Sequence, residues 1–478
     1  MSWLVDNKTN YETKGVKTLL GDPKKAVIKL SIPMIIAMSA HTIYNLVDAL
    51  WVSGLGKDIF TNAEITEIGT SALAAVGFVI PFFMMIMAIS NGIGIGAGSA
   101  ISRRIGAGDK KGADNIAIHS VIISVLIAII FSIIFFASAE LIFRLIGAGE
   151  ILQMAVSYGR VIYAGSIFIF FSYVAFAILR GEGDAKRAMY AMMFGAFLNI
   201  ILDPFFIFTF QMGVTGAAVA TVLSIFITFL ILIYWLFFRK DTYVSFNFKN
   251  FKFKKYIIKD IFRVGLPASV QQLSMSITMV AIIIIIGLSG DSQLGVAIYN
   301  TGWRVVMIAV LPLLGVATAV TSVTGAAFGA KAYDRLNTAF MYAVKFGFII
   351  EIIIAFCIFI SAPLIAYVFT TSPEAFNIRA GLILFLQITC IFYPTAAMGI
   401  ASSAMFQGTG KGTYALIATV LRTIVFAIIL SYTFAIIFDF GFMGIWWGLV
   451  ISNFLGSLIS IIWAKLYIRK LFLTRIKN

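Results

Sequence analysis

Arg180-Gly-Glu-Gly-Asp-Ala-Lys-Arg-Ala188 returns later in the chain as Gln407-Gly-Thr-Gly-Lys-Gly-Thr-Tyr-Ala415, with Gly181 and Gly408 standing 227 positions apart. Two further stretches repeat in the same order. Gly213-Val-Thr-Gly-Ala-Ala matches Gly441-Phe-Met-Gly-Ile-Trp at 228, and Leu30-Ser-Ile-Pro33 matches Val264-Gly-Leu-Pro267 at 234. One such pair is within reach of chance; three in order read as an internal repeat, and a repeat fixes the architecture.

The solvent of this repeat follows from composition. Of 478 residues, 61% are hydrophobic and 12% charged, with a mean hydropathy of +1.00; a soluble domain carries about a quarter charged residues. A helix needs about 20 apolar residues to cross the hydrocarbon core. Such runs occur at 27–54, 72–101, 116–146, 155–179, 188–211, 214–238, 261–289, 294–325, 338–369, 379–406, 414–438 and 441–466. The chain is therefore expected to be an all-α polytopic membrane protein of about twelve transmembrane helices. The expected organisation is a cytoplasmic N-terminal segment (1–25), an N-lobe of helices 1–6 (26–238), a basic and aromatic cytoplasmic linker (239–260), a C-lobe of helices 7–12 (261–466) and a cytoplasmic tail (467–478). An even number of helices per repeat makes the repeats parallel, about an axis along the membrane normal. Two pseudo-symmetric six-helix lobes around a central cleft follow, which is the geometry of alternating access.

A net charge of +15 would point a soluble protein toward nucleic acid. Here the basic residues sit in alternate connections, among them Lys24/Lys25, Arg103/Arg104/Lys110/Lys111, Arg180/Lys186/Arg187, the run from Arg239 to Arg263, Lys331/Arg335 and Lys411. The intervening loops hold Lys57, Arg144 and Arg379 beside the acidic stretch Asp58, Glu64, Glu67. That asymmetry places both termini in the cytoplasm of a plasma membrane and removes the need for a nucleic-acid partner. Cys357 and Cys390 both fall in apolar runs, so no disulfide framework is implied. The N-terminus is polar up to its first apolar run, unlike a cleaved secretory signal.

Two carboxylates lie deep in the N-terminal repeat. An Asp at the centre of a membrane helix costs about 2.5–3.5 kcal/mol on insertion scales, so Asp48 and Asp203 are functional candidates by default. Asp48 follows Pro33 by fifteen residues on one helix; an interior proline removes a hydrogen bond and permits straight and bent forms. A static kink is the competing reading. Asn199-Ile-Ile-Leu-Asp203-Pro204 puts an amide and a carboxylate on one helix face, and Thr221 offers a hydroxyl on the next helix at similar depth. Asp, Asn and Thr oxygens suit Na⁺, and the carboxyls can instead carry H⁺. The alternative is a polar cluster that glues helices together.

Other patterns carry less chemistry. Gly92-Ile-Gly-Ile-Gly-Ala-Gly98 lies inside an apolar helix, where small residues four apart mark close packing. Gly408-Thr-Gly-Lys-Gly-Thr413 lacks the ending of a P-loop, so ATP-driven transport has no support. Glu351 is expected to pair with Arg422 or Lys345, Arg160, Arg304 and Arg422 to lie near interfaces or a cleft, and His41 and His119 to be packed polar residues. Met84, Met85, Met87, Met192 and Met193 provide adaptable apolar surface.

With these features the chain resembles the MATE family of multidrug and toxic-compound extrusion antiporters over nearly its whole length. The likeness rests on the twelve helices in two lobes, on Ile105-Gly-Ala-Gly-Asp109 and Leu179-Arg-Gly-Glu-Gly-Asp184, and on the Pro33/Asp48 helix. It is closest to the DinF-like branch, including its archaeal members. The resemblance implies an ion-coupling set of Asp48, Asn199, Asp203 and Thr221 that takes H⁺ or Na⁺, with Pro33 as the bending point and Tyr44 and Tyr158 lining the cleft. In the NorM-like branch, carboxylates on helices seven and ten carry cations. Here those stretches read Pro267-Ala-Ser-Val-Gln-Gln272 and Gln387-Ile-Thr-Cys-Ile-Phe-Tyr393, which argues against coupling in the C-lobe.

The expected function is a secondary antiporter, working as a monomer and without a cofactor, that exports organic cationic or amphipathic compounds in exchange for H⁺ or Na⁺. One rival is a flippase for lipid-linked precursors, which Arg160 and Arg304 would serve by meeting a pyrophosphate. A membrane-embedded prenyltransferase needs paired Asp-rich Mg²⁺ motifs, and Asn199…Asp203 has no second copy.

Overall fold

A computed structural model describes residues 13–53, 69–239, 241–247, 251–290, 292–371 and 373–477. The first twelve residues, Lys57 with the acidic stretch Asp58, Glu64 and Glu67, and Phe248 of the linker lie outside the described residues. Among the described residues every regular element is helical, and eleven helices are long and apolar enough to cross a membrane, or twelve if one bent pair counts as a span.

Local chemistry sets the ends of the first helices. Thr13 caps the short helix α1 (Lys14–Leu20), its side chain accepting from the Val16 amide. Asp22 accepts from the Lys25 amide at 2.9 Å and Pro23 follows it, so α2 (Pro23–Val52) starts with a capping carboxylate and a proline at its first position. Helices α3 (Thr70–Gly106) and α4 (Lys110–Leu145) are joined by a tight turn in which Asp109 caps α4. The bent span is α5 (Leu152–Ala164) followed by α6 (Ser166–Gly181), at 46° across Gly165. A Cβ at Gly165 would stand 2.5 Å from Val222, so the break brings backbone against α8 (Gly213–Ile233). Between them lies α7 (Ala185–Pro204), capped by Asp184. Pro204 donates no hydrogen bond, and the chain continues as a π-helical turn, Phe205–Thr209.

The second repeat runs through α9 (Lys255–Leu288), α10 (Ser292–Gly329), α11 (Tyr333–Phe369), α12 (Arg379–Thr389), α13 (Tyr393–Gly408), α14 (Gly412–Val420), α15 (Phe426–Tyr432) and α16 (Gly441–Lys477). Its local geometry copies that of the first. The π turn Thr433–Ile437 stands 228 positions after Phe205–Thr209. Gln211 and Asp439 share a φ of 56°, and Gly213 and Gly441 have φ of 54° and 56°. Added Cβ atoms at Gly216 and Gly444 would strike the backbone of Phe206 and Phe434 respectively, at 2.5 Å in each case. The repeat inferred from sequence is thus repeated backbone as well. The last helix continues to Lys477, through the stretch expected to be a tail, because no proline or glycine follows Gly456 to stop it.

The described chain forms two compact units. Unit 1 comprises residues up to Gly21 and Ile36–Gly265; unit 2 comprises Asp22–Ile35 and Leu266 onward. The first helix of each repeat changes unit beside its proline: α2 just after Pro33, α9 just before Pro267.

Within unit 1, the glycine string of α3 packs helices. A Cβ at Gly94 or Gly98 would meet the backbone of Tyr173 or Ala177, and one at Gly96 would strike the carbonyl of Ile261 at 2.3 Å. The linker is pinned to the same unit. Arg187 holds Asp241 by two hydrogen bonds of 2.7 Å, the Val244 amide donates to Glu182 at 3.0 Å, and the Ser245 amide donates to Asp114 at 2.8 Å. Farther along, the Lys254 amide donates to His119 and Arg103 pairs with Asp260 at 2.7 Å. His119 is buried, the packed polar residue expected of it.

Unit 2 encloses an apolar core around Ile282, Tyr299, Phe385, Tyr393, Ala427 and Trp446. Two expectations are corrected there. Glu351 is fully buried, but neither carboxylate oxygen has a partner among the described residues. Lys345 lies six residues away, hence on another helix face, and is exposed. Arg422 is buried at 8% exposure rather than interfacial, its stem lying against Gly456 and its Nε against Gly399. Arg304 is exposed, and Arg160 lies over the Phe136 ring at 5.6 Å.

Candidate functional site

The i, i+4 spacing of Asn199 and Asp203 produces the contact it implies. Asn199 Nδ2 donates to Asp203 Oδ1 at 3.2 Å and to Thr221 Oγ1 at 3.3 Å, joining α7 to α8. Asp203 is fully buried, Asn199 and Thr221 nearly so. From α2, the Asp48 carboxyl stands beside that of Asp203, and both lie within electrostatic reach of Tyr44 and Tyr158. The four residues expected to form one set are therefore one cluster, built from three helices of unit 1.

Its hydrogen bonding is incomplete. Asp48 Oδ1, Asp203 Oδ2 and Asn199 Oδ1 are buried without a partner among the described residues. Three unsatisfied oxygens beside two adjoining carboxyls have one simple remedy, a positive charge among them. The donor set, carboxylate and amide oxygens with a hydroxyl, suits H⁺ or a hard cation such as Na⁺.

Beside this cluster unit 1 holds a cavity with about 730 Å³ of empty space, a figure that includes the solvent at its open mouth. Asn199 and Thr221 are part of its lining, so Asn199, bonded to Asp203, and Thr221, bonded to Asn199, also face the cavity. Tyr44 and His41 from α2, Phe83 and Met87 from α3, Tyr173 and Phe176 from α6, and Met192 from α7 supply an apolar, largely aromatic lining. Tyr158 is not in this lining; it packs near Val52 and Phe208. Pro33 lies within α2, fifteen residues before Asp48. Of the methionines singled out in the sequence, Met87 and Met192 face the cavity, while Met84 and Met193 are exposed at 46% and 36%.

Sequence reasoning missed Ser172, Ser224, Thr228 and Arg180 as lining residues. Thr221, Ser224 and Thr228 follow a three-to-four-residue spacing on α8, a stripe that was open to view. Ser224 and Thr228 hydroxyls bond back to the carbonyls of Thr221 and Ser224, a habit of membrane helices that hides them as cavity groups. Arg180 was counted as a topology signal. Among the described residues, no group of three or more His, Cys, Asp or Glu side chains is placed to hold a metal.

Comparison with known proteins covers nearly all of this architecture. A family model described as MatE matches residues 58–205 and 267–433. Multidrug export protein MepA of Staphylococcus saprophyticus subsp. saprophyticus is 26% identical over 446 residues, which is 92% of this chain and 92% of that protein. Two solved structures, of MATE in the straight conformation and of MATE in the bent conformation, are each 45% identical to this chain. They superpose with TM-scores of 0.90 and 0.89, covering 96% and 97% of this chain and 99% of each of theirs.

Proposed function

The chain belongs to the MatE family, and from that premise we propose that it is a secondary antiporter that exports amphipathic organic compounds in exchange for H⁺ or Na⁺. It is a multi-pass membrane transporter and not an enzyme. The observation that carries the coupling is the shared wall: Asn199 and Thr221 belong at once to the carboxylate cluster and to the cavity. An ion that draws Asp48, Asn199, Asp203 and Thr221 around itself withdraws two polar groups from the cavity lining. Ion and compound then compete through one pair of side chains.

The bending of α2 is the conformational partner of this exchange. Asp48 lies beyond Pro33, so ion capture at Asp48 pulls on a helix already missing a hydrogen bond at its hinge. That solved relatives are described as MATE in a straight and in a bent conformation supports a transporter with two forms. The basic connections, from Arg103 to Lys111 and around Arg187, support a cytoplasmic position for both termini, and on this reading ions enter as compounds leave. Each charge moved across 100 mV supplies about 2.3 kcal/mol, roughly a fifty-fold concentration ratio. One or two ions suffice without ATP.

The test is efflux from proteoliposomes under separately imposed pH and Na⁺ gradients, comparing wild type with Asp48→Asn and Asp203→Asn. Gradient-driven efflux is expected in wild type and at least a tenfold loss in each variant, with facilitated equilibration of the compound retained. Gradient-driven efflux that survives in both variants removes the cluster from coupling.

A further inference from the structure

The charge of the cavity runs opposite to what an exporter of cations would present. Among its described lining residues Arg180 is the one permanently charged side chain. It closes α6 at the end of the cavity away from Asn199 and Thr221. The order of levels is set by contacts within unit 1: Asn199 bonds Thr221, Gly195 faces Thr228, and Phe168 and Phe171 meet Phe226 and Phe229 edge to face. Arg180 therefore lies two to three turns beyond Ser172 along α6, about 12 Å at 1.5 Å per residue.

The guanidinium has no hydrogen-bond or ion-pair partner among the described residues, and its titratable neighbour is the phenol of Tyr173. Arg180 is half-buried, and a carboxylate, sulfonate or phosphate entering the cavity matches its guanidinium fork in two parallel bonds. A second group awaits a ligand partway along. Ser172 is 3% exposed, lines the cavity, and its hydroxyl is buried without a partner. Between these polar points the wall is Phe83, Met87, Phe176 and Met192.

We propose that this cavity selects amphipathic compounds bearing an acidic group, which pairs with Arg180 and Tyr173 while the apolar body lies along Phe83, Met87, Phe176 and Met192. The inference deepens the export reading and rests on it for the cavity being the substrate site. A cationic group is disfavoured at the Arg180 end and must turn toward Asn199. An acid-bearing compound, conversely, keeps its charge as far from Asp48 and Asp203 as the cavity allows. Ion capture at those carboxyls and anion release at Arg180 then occur at opposite ends of one chamber.

The test uses three probes with one fluorophore: dansylglycine (anionic), its methyl ester (neutral) and dansylcadaverine (cationic), titrated against the full chain in nanodiscs with empty nanodiscs subtracted. A charge-assisted pair is worth about 1.5–3 kcal/mol, so dansylglycine is expected to bind wild type at least tenfold more tightly than its ester, and dansylcadaverine more weakly than the ester. Arg180→Gln is expected to erase the acid-to-ester ratio while leaving ester affinity within about twofold, and Arg180→Lys to restore part of the ratio. Ester binding without a preference for the acid overturns the Arg180 inference and leaves the export cavity standing. A ratio that persists in Arg180→Gln does the same. Failure of all three probes to bind folded wild type overturns both.

Discussion

At 228 positions beyond Asn199, Asp203 and Thr221 stand Ala427, Ser431 and Leu449, and at 234 beyond Asp48 stands Ile282. The backbone around these positions is duplicated, down to the π turns and the left-handed residues Gln211 and Asp439. The side chains are not. Where unit 1 has two carboxyls, an amide and a hydroxyl, unit 2 has Ile282, Ala427 and Leu449 in its apolar core and a serine whose hydroxyl bonds the Ile445 carbonyl at 3.3 Å. Unit 2 keeps buried polarity elsewhere, in the network of Gln271 with Ser403, Thr419 and Gln407. One backbone plan therefore serves two purposes, a buried polar cluster in one copy and a packed apolar core in the other.

Moving the chemistry between the copies should break this comparison most visibly. Ile282→Asp places a lone carboxyl among apolar neighbours and is expected to cost about 3 kcal/mol, read as lost folded yield or a lower unfolding midpoint. The converse Asp48→Ile is expected to fold normally and to lose gradient-driven efflux. Equal folding of both would mean that the two environments are not as different as their contacts imply.

The turns that begin the fifth helix of each repeat differ by a cap. Asp184 accepts from the Arg187 amide at 3.2 Å and pairs with its guanidinium at 3.1 Å, whereas Lys411 offers α14 no side-chain cap. Asp184→Ala is expected to destabilise by about 1 kcal/mol, and Lys411→Ala to stay within about 0.5 kcal/mol. Chemical denaturation of the two variants side by side decides it.

A smaller effect distinguishes Gly108 from Lys331. Both occupy the left-handed position of the same turn, with φ of 72° and 53° and matching backbone hydrogen bonds. A lysine tolerates that conformation less well than glycine. Lys331→Gly is expected to stabilise by up to about 1 kcal/mol and Gly108→Lys to destabilise by a similar amount; a change of the same sign in both would show that tertiary contacts outweigh backbone strain there.

The last difference is one of pH. Glu182, in the loop after α6, is buried beneath the linker, and burial pushes its carboxyl up to about 8, partly offset by the Val244 amide. The equivalent position in unit 2 is Thr409, which cannot titrate. Above the ordinary value of 4.5 the undocked carboxyl sheds its proton more readily than the docked one. Docking of the linker therefore weakens as pH rises from about 4.5 to about 8 and levels off beyond. Hydrogen exchange at 241–247, corrected for intrinsic rates, is expected to accelerate over that window in wild type and not in Glu182→Gln. An identical pH trend in both would move the effect to another group.

Much of this was written in the order of residues. Hydropathy gave the spans because a membrane leaves backbone no alternative to helix, and Asn199 with Asp203 could be paired because four residues make one turn. The break at Gly165 was hidden, since its cause is the nearness of Val222 on another helix. So were the partnerless state of Glu351 and the burial of Arg422, the latter set by Gly399 and Gly456 on neighbouring helices and not by spacing along one chain.

Sequence alone determined the helical class, the duplicated plan and the four residues of the carboxylate cluster, all consequences of local periodicity and of the high cost of charge in lipid. Tertiary structure alone decided which residues share a chamber. Asn199 and Thr221 became a common wall, Arg180 became its charged end, and α2 and α9 came to divide between units beside Pro33 and Pro267. Those are facts about packing between segments distant in the chain, where no periodic pattern carries the information.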